Sequence, residues 1–212
     1  MANVNAPFGL RPVKHIDGST WNQQVQMFYV PSTNGEAFYL GDLVEVEASG
    51  DVITGTPGVN LYGTRGQTSN SGDVLGVVVG FSKKAGNASQ GNPVGADPDN
   101  LNIIYVPATK TADYYLHVCV DPTVVYEAQT DTIATTAFNK NTTVAIGAAP
   151  TAPNNVSQTY AVGSAANTTN TFPLAIVGAP QRVNNELVSP GTNAKIYVML
   201  NTPYLRPGRT GV

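Results

Sequence analysis

Proline and glycine interrupt this chain so often that a long helix has no room to form. Fifteen prolines and twenty-one glycines are spread along its 212 residues. Proline removes a backbone donor and clashes with the preceding helical turn, and glycine is the next poorest helix former. Between these breaks lie short runs of β-branched and aromatic residues, many of them alternating with polar ones, which is the pattern of short strands. The expected fold is all-β: an antiparallel barrel or sandwich with extended N- and C-terminal arms and at most one short helix.

The strands are expected at 25–31, 36–40, 43–47, 74–81, 101–106, 114–120, 124–128, 142–146, 172–183 and 195–200. The run from Val74 to Phe81 reads as buried on both faces, with Gly76 and Gly80 marking close approach or a bulge. In the run from Tyr114, the side chains of Leu116, Val118 and Val120 face inward and His117 faces the other way. Ser49, Gly50 and Asp51 read as a turn. Residues 55–72 and 83–100 read as loops, and residues 132–138 as the one short helix, capped by Asp131 or Thr132. Residues 148–171 carry no charge and read as a loop or a poorly packed hairpin around 159–162.

Three regions follow. Residues 1–21 form an extended N-terminal arm, because Pro7 and Pro12 restrict their neighbours to extended backbone. Residues 22–201 form the β-rich domain, and residues 202–212 a C-terminal tail. The arm is not read as a frayed end, since Phe8, Leu10 and Trp21 need a surface to cover them.

Charge narrows the function. Charged residues make up 12% of the chain, about half the usual share of roughly 25%, and the net charge is -3. Lys83 and Lys84 are the sole adjacent basic pair, so neither the basic stripe of a nucleic-acid binder nor a polybasic membrane patch is present. No apolar run reaches the length of a membrane span. Cys119 is the single cysteine, which rules out an intrachain disulfide. Residues 1–12 lack a charged and apolar leader pattern, so synthesis in a reducing cytoplasm is expected.

No constellation points to catalysis. His15 and His117 are the two histidines, and neither has metal-ligand spacing to a partner. His117, Cys119 and Asp121 alternate on one strand face, but nucleophile sets are normally assembled from separate elements, and Cys119 reads as a small buried side chain. Asp97 to Asn100 lacks the oxygen count of a calcium loop. Glu45, Glu47 and Glu127 alternate with apolar neighbours and read as a solvated face rather than a carboxylate pair. The glycine patterns of nucleotide binding and of the serine-hydrolase elbow are missing. The expectation is a non-enzyme without metal or cofactor.

The two ends carry a resemblance. The opening Asn5-Ala6-Pro7-Phe8-Gly9-Leu10-Arg11-Pro12, followed by His15, Gly18 and Trp21-Asn22, is similar to the start of a family of tailed-phage capsid decoration, or cement, proteins. Tyr39-Leu40-Gly41-Asp42-Leu43-Val44 resembles that family's turn and strand, and the run from Asp73 to Phe81 resembles its glycine-flanked valine strand. Asp121-Pro122-Thr123-Val124-Val125-Tyr126-Glu127, Gly191-Thr192-Asn193-Ala194-Lys195 and the ending Thr210-Gly211-Val212 follow in the same order. Residues 148–171 have no match in it.

The resemblance implies a virion structural protein on the capsid surface. It implies the major capsid protein as partner and a homotrimer, with no nucleic acid and no membrane, and host-surface contact as a further role. On that reading the interface anchors are Phe8, Leu10, Arg11, Trp21, Tyr204 and Leu205; the competing expectation packs the same side chains on their own barrel. A receptor- or carbohydrate-binding module on the virion surface is the alternative, and it would need exposed aromatic groups beside amides. The major capsid subunit itself is disfavoured, because its spine helix has no counterpart in this sequence.

Overall fold

The computed structural model describes residues 3–84, 102–151, 155–187 and 191–205. The stretch Asp97 to Asn100, most of the 83–100 loop, Pro190 and residues 206–212 of the tail lie outside the described residues. Among the described residues the fold is all-β. Its strands are β1 (Arg11–His15), β2 (Gln26–Val30), β3 (Phe38–Tyr39), β4 (Leu43–Asp51), β5 (Thr56–Leu61), β6 (Gln67–Ser69) and β7 (Gly76–Lys83). They continue with β8 (Tyr105–Val106), β9 (Tyr114–Cys119), β10 (Val124–Gln129), β11 (Asn141–Ile146), β12 (Tyr160–Asn167), β13 (Leu174–Gly178) and β14 (Lys195–Leu200).

These strands make two bodies joined by one core. A barrel runs in the order β2-β5-β4-β7-β9. Its closure is uneven: the β2–β5 seam is parallel and rests on Tyr29 beside Gly58, while its other seams are antiparallel. The second body is a seven-stranded sheet in the order β1-β10-β14-β13-β11-β12, with β6 added on β11. A small β3–β8 pair lies beside them. Leu43, Leu75, Leu116 and Val118 from the barrel side share one buried cluster with Tyr126, Val144, Ile176 and Val198 from the sheet.

The glycines of β7 act as expected. A Cβ on Gly76 would lie 2.3 Å from the Cys119 carbonyl oxygen, and the β7–β9 register shifts between Val78 and Gly80. Leu116 and Val118 of β9, and Val120 just beyond it, are buried. Tyr115 and Cys119, on the other face, are buried as well: Cys119 lies against Tyr126 of the sheet, and Tyr115 packs beside Tyr29 with its hydroxyl on Asp51.

Several expectations are corrected. Residues 55–72 are not a loop: β5 pairs with β4, and β6 pairs with β11. The weak pattern Thr-Pro-Gly-Val-Asn-Leu hides β5, whose Gly58 is required where a Cβ would meet the Ser49 carbonyl oxygen at 2.3 Å. Ser49 and Gly50 do not turn the chain; β4 runs on to Asp51 through an irregular register after Val46. The expected helix is reduced to a 3-10 turn at Thr135–Ala137 without a side-chain cap. Asp131 cannot cap it, because its carboxylate is bonded to Ser164 of β12. Within 148–171, residues 160–167 are not a loop but form β12, which pairs with β11 at 160–162 and at 167 across an irregular register.

The N-terminal segment is extended but does not stand apart. β1 is the edge strand beside β10, with Arg11 opposite Glu127. Pro12 sits where an edge strand tolerates the missing donor, and the register slips just after it. Residues 202–205 are likewise docked: Thr202 Oγ1 donates to the Gly72 carbonyl at 2.8 Å and the Tyr204 N–H to the Val74 carbonyl at 2.7 Å.

Candidate functional site

The site is built where the N-terminal segment crosses from sheet to barrel. Asn3 donates to the Glu186 and Thr192 carbonyls, and the Gln129 side chain bonds the backbone of Val4 and Ala6. The chain then meets the barrel glycine on glycine. Gly9 has φ +72° and Gly41 φ +87°, and a Cβ on Gly9 would sit 2.6 Å from the Gly41 carbonyl oxygen. Both positions demand glycine, through backbone conformation and through the close approach. The Leu10 N–H donates to the Gly41 carbonyl at 3.0 Å, and the Gly41 N–H to the Val78 carbonyl at 2.8 Å. One ladder of backbone contacts thus ties the opening motif, the Gly41-Asp42 turn and the valine strand together.

Beneath the turn, Asp42 is fully buried and bonded to Arg65 Nη2 at 2.5 Å and to the Tyr39 N–H at 2.8 Å. Burial pushes the Asp42 carboxyl up, and the Arg65 guanidinium opposes that shift. Arg65 also lies over the Tyr39 ring and donates to the Ala37 carbonyl. The pair holds the turn against the barrel.

Above it opens a groove of about 760 Å³, lined among others by Phe8, Arg11, Trp21, Val25, Val79 and His117. Arg11 lies over the Phe8 ring at 5.1 Å, and its side chain is 62% exposed. Trp21 is half-buried against the core; its indole N–H leans toward the Cys119 thiol without a formed hydrogen bond. His117 Nε2 is 2.7 Å from Ser82 Oγ, and burial pushes the imidazole pKa down, so the groove wall is neutral there at neutral pH. Exposed Val25, just before β2, and Met27 of β2 extend the apolar surface, and Leu205 faces a smaller hollow that shares Val25.

The six expected anchors therefore divide. Phe8, Arg11 and Trp21 come together in the groove, and Leu205 is exposed at its side. Leu10 is 1% exposed and belongs to the chain's own core, so it is not available to a partner. Tyr204 is half-buried against the same core. Leu10 is drawn inward because the Gly9–Gly41 contact brings the backbone onto the barrel just before it.

The residues weighed for catalysis stay apart in role. Cys119 is fully buried and accepts from the Tyr126 hydroxyl at 3.3 Å; burial pushes its thiol up. Asp121 holds the Thr123 N–H and hydroxyl and lies 3.4 Å from His15 Nδ1. Among the described residues no three His, Cys, Asp or Glu side chains gather as a metal site.

The expectation of a solvated glutamate face fails at Glu127, which is 1% exposed. Arg182 grips it with two hydrogen bonds of 2.8 and 2.9 Å, and Arg11 approaches to 3.6 Å. Glu45 and Glu47 are half-buried, and burial pushes the Glu45 carboxyl up. No sequence signal links Arg182 to Glu127, because Arg182 sits in a turn after β13 with no motif around it. A scan of family models and searches of curated proteins and of solved structures found no match to this chain.

Proposed function

We propose that this chain is a virion structural protein of the capsid-decoration type. It binds the outer shell of a tailed phage and stabilises joints between major capsid subunits, without enzymatic activity. It is made in the host cytoplasm and acts as a homotrimer on the particle.

One observation carries the reading: among the described residues, segments that resemble the decoration family, scattered from residue 5 to residue 195, touch one another or the residues that directly continue them. The opening motif bonds the Gly41 turn, and that turn bonds the valine strand at Val78. Arg11 of the opening motif pairs with Glu127 of the Asp121–Glu127 segment. Asn193 and Ala194 accept from Gln129 and Thr130, just beyond that segment. These contacts support reading the described segments as parts of one frame rather than as scattered likenesses of composition.

The groove and its rim supply the contact surface in this proposal. Phe8, Trp21, Val25, Met27 and Leu205 offer apolar and aromatic anchors of the kind that dominate protein interfaces, and Arg11 adds a charged rim group. Many copies on one shell make a modest single contact effective. The gain to the particle is slower disassembly.

The test mixes purified protein with undecorated shells and measures binding and shell melting. Deleting residues 1–21 would remove β1 and Leu10 from the core, so point variants serve instead. Phe8→Ala and Trp21→Ala are expected to bind more weakly while remaining folded. Full-strength binding by both variants, or no binding by the unaltered chain, would overturn the proposal. Light scattering tests the trimer separately, and a monomer at high concentration would remove that part.

A further inference from the structure

We propose that a second, polar pocket at the start of the N-terminal segment, beside Asn5 and Pro7, binds one unit of a neutral carbohydrate. The pocket measures about 400 Å³ and is lined by Asn5, Gln129, Asp131, Gln158, Tyr160 and Asn193, with Ala148 beside them. That volume lies in the range of small-ligand sites.

Its wall is rigid. Gln129 is 2% exposed and fully bonded: it accepts from the Ala6 N–H at 3.0 Å and donates to the Val4 and Asn193 carbonyls at 2.8 and 3.1 Å. The Asp131 carboxylate accepts from the Ser164 N–H and hydroxyl and from the Thr130 hydroxyl.

Its remaining polar groups are uncommitted. Among the described residues, the side chains of Asn5 and Asn193 and the Tyr160 hydroxyl make no hydrogen bond. Gln158 Nε2 is divided between the Pro7 and Val156 carbonyls at 3.4 Å each, the long limit of a hydrogen bond, and its Oε1 accepts nothing. Free amides and a phenol beside a fixed amide and carboxylate offer a ligand both donors and acceptors.

The chemistry selects the ligand class. Asp131 is the only charged side chain in the lining, so an anion is repelled. A cation would find one carboxylate already shared among three donors. An apolar ligand would leave the amides unpaired, which costs binding. Sugar hydroxyls, each both donor and acceptor, match the free amides and the phenol, while the Tyr160 ring and Ala148 can face the C–H surface of a pyranose.

The experiment records backbone amide NMR spectra of the full chain during titration with methyl α-D-glucopyranoside, methyl β-D-galactopyranoside and N-acetyl-D-glucosamine. Each is used as the monosaccharide and as a short oligomer of the same unit. Saturable shifts are expected at residues 129–131, 158–160 and 193 for at least one probe. Tighter binding of the oligomer marks a polymeric glycan as the natural source, and equal binding marks a free sugar.

Tyr160→Phe keeps the ring, and Asn193→Gly keeps a position with φ 53°; combined with Asn5→Ala they should weaken binding by roughly tenfold or more. No saturable shift with any probe, or shifts unchanged in these variants, overturns the site. The single variants Asn5→Ala and Asn193→Gly give the same readout if the combination fails to fold. Shell decoration by these variants is expected to be unchanged, so this site and the shell contact can fail independently.

Discussion

Arg182 reaches from an exposed turn to close over Glu127, a carboxylate 1% exposed within the seven-stranded sheet, with hydrogen bonds of 2.8 and 2.9 Å. The bidentate grip satisfies a charge that the sheet would otherwise strand. Arg182→Ala leaves Glu127 with Arg11 alone at 3.6 Å. The expected loss is about 2 kcal/mol, less than for a fully buried pair because Arg182 is partly exposed. Urea unfolding measures it, and Glu127→Gln should cost less than Glu127→Ala.

Gly9 and Gly41 should tolerate no side chain. Each has positive φ and faces backbone rather than a movable side chain. Gly9→Ala and Gly41→Ala are each expected to cost more than about 1 kcal/mol. Their combined effect should fall short of the sum, since one displaced contact serves both. Thermal melting of the two single variants and the double variant checks this.

Leu10 and Phe8 are two residues apart and should behave in opposite ways. Leu10→Ala empties a core position and is expected to cost about 2–5 kcal/mol of stability. Phe8→Ala should stay within about 1 kcal/mol in stability yet lower shell affinity on the order of tenfold. Paired melting and shell-binding measurements separate them; equal melting loss in both would show that Phe8 is a core residue.

The far end of the barrel carries a pH-dependent plug. Lys84 Nζ lies 2.9 Å from Asp51 and 3.6 Å from Asp113, and the Tyr115 and Tyr29 hydroxyls donate to these two carboxylates. Burial alone would raise the Asp51 carboxyl, but Lys84, the Ile53 N–H and the Thr54 and Tyr115 hydroxyls hold it well below the usual range. Asp113 is lowered too, with burial again opposing its partners. Both folded values lie below the unfolded one of about 3.9, so their stabilisation is complete above that pH and is lost as pH falls toward the folded values. Lys84→Met should therefore cost about 3 kcal/mol near neutrality and progressively less below about pH 4. A difference independent of pH would show that Lys84 acts by packing alone.

Cys119 should be inert in the native protein. Its thiol is fully buried and its pKa is raised by burial, so little thiolate is exposed to a reagent. Labelling with an aromatic disulfide reagent is expected to follow global unfolding and to rise with denaturant. Rapid labelling of the folded chain would contradict the close packing at the Cys119–Tyr126 contact.

Much of the fold is legible in the residues. The spacing of proline, glycine and β-branched runs determined that the chain is all-β. It also placed β2, β7, β9, β10, β11 and β14, because their alternation or continuous apolar character is a local property. β5 and β6 are not legible that way, and β12 is legible only as a weak hairpin around 159–162. Their sequences are rich in Gly, Pro, Asn, Ala or Thr, and they become strands only because β4 and β11 offer unpaired edges.

The same division runs through the site. Phe8 and Arg11 stand out beside Pro7 and Pro12, and Trp21 as the single tryptophan, and the three do share a groove. Only the tertiary structure decided that Leu10, in the same motif, turns into the core, that Glu127 is a buried charge awaiting Arg182, and that Asn5, Gln158, Tyr160 and Asn193 ring one pocket. Side-chain type is written in the chain. Which face a residue shows, and which distant residue meets it, depends on register and on how barrel and sheet close on one another.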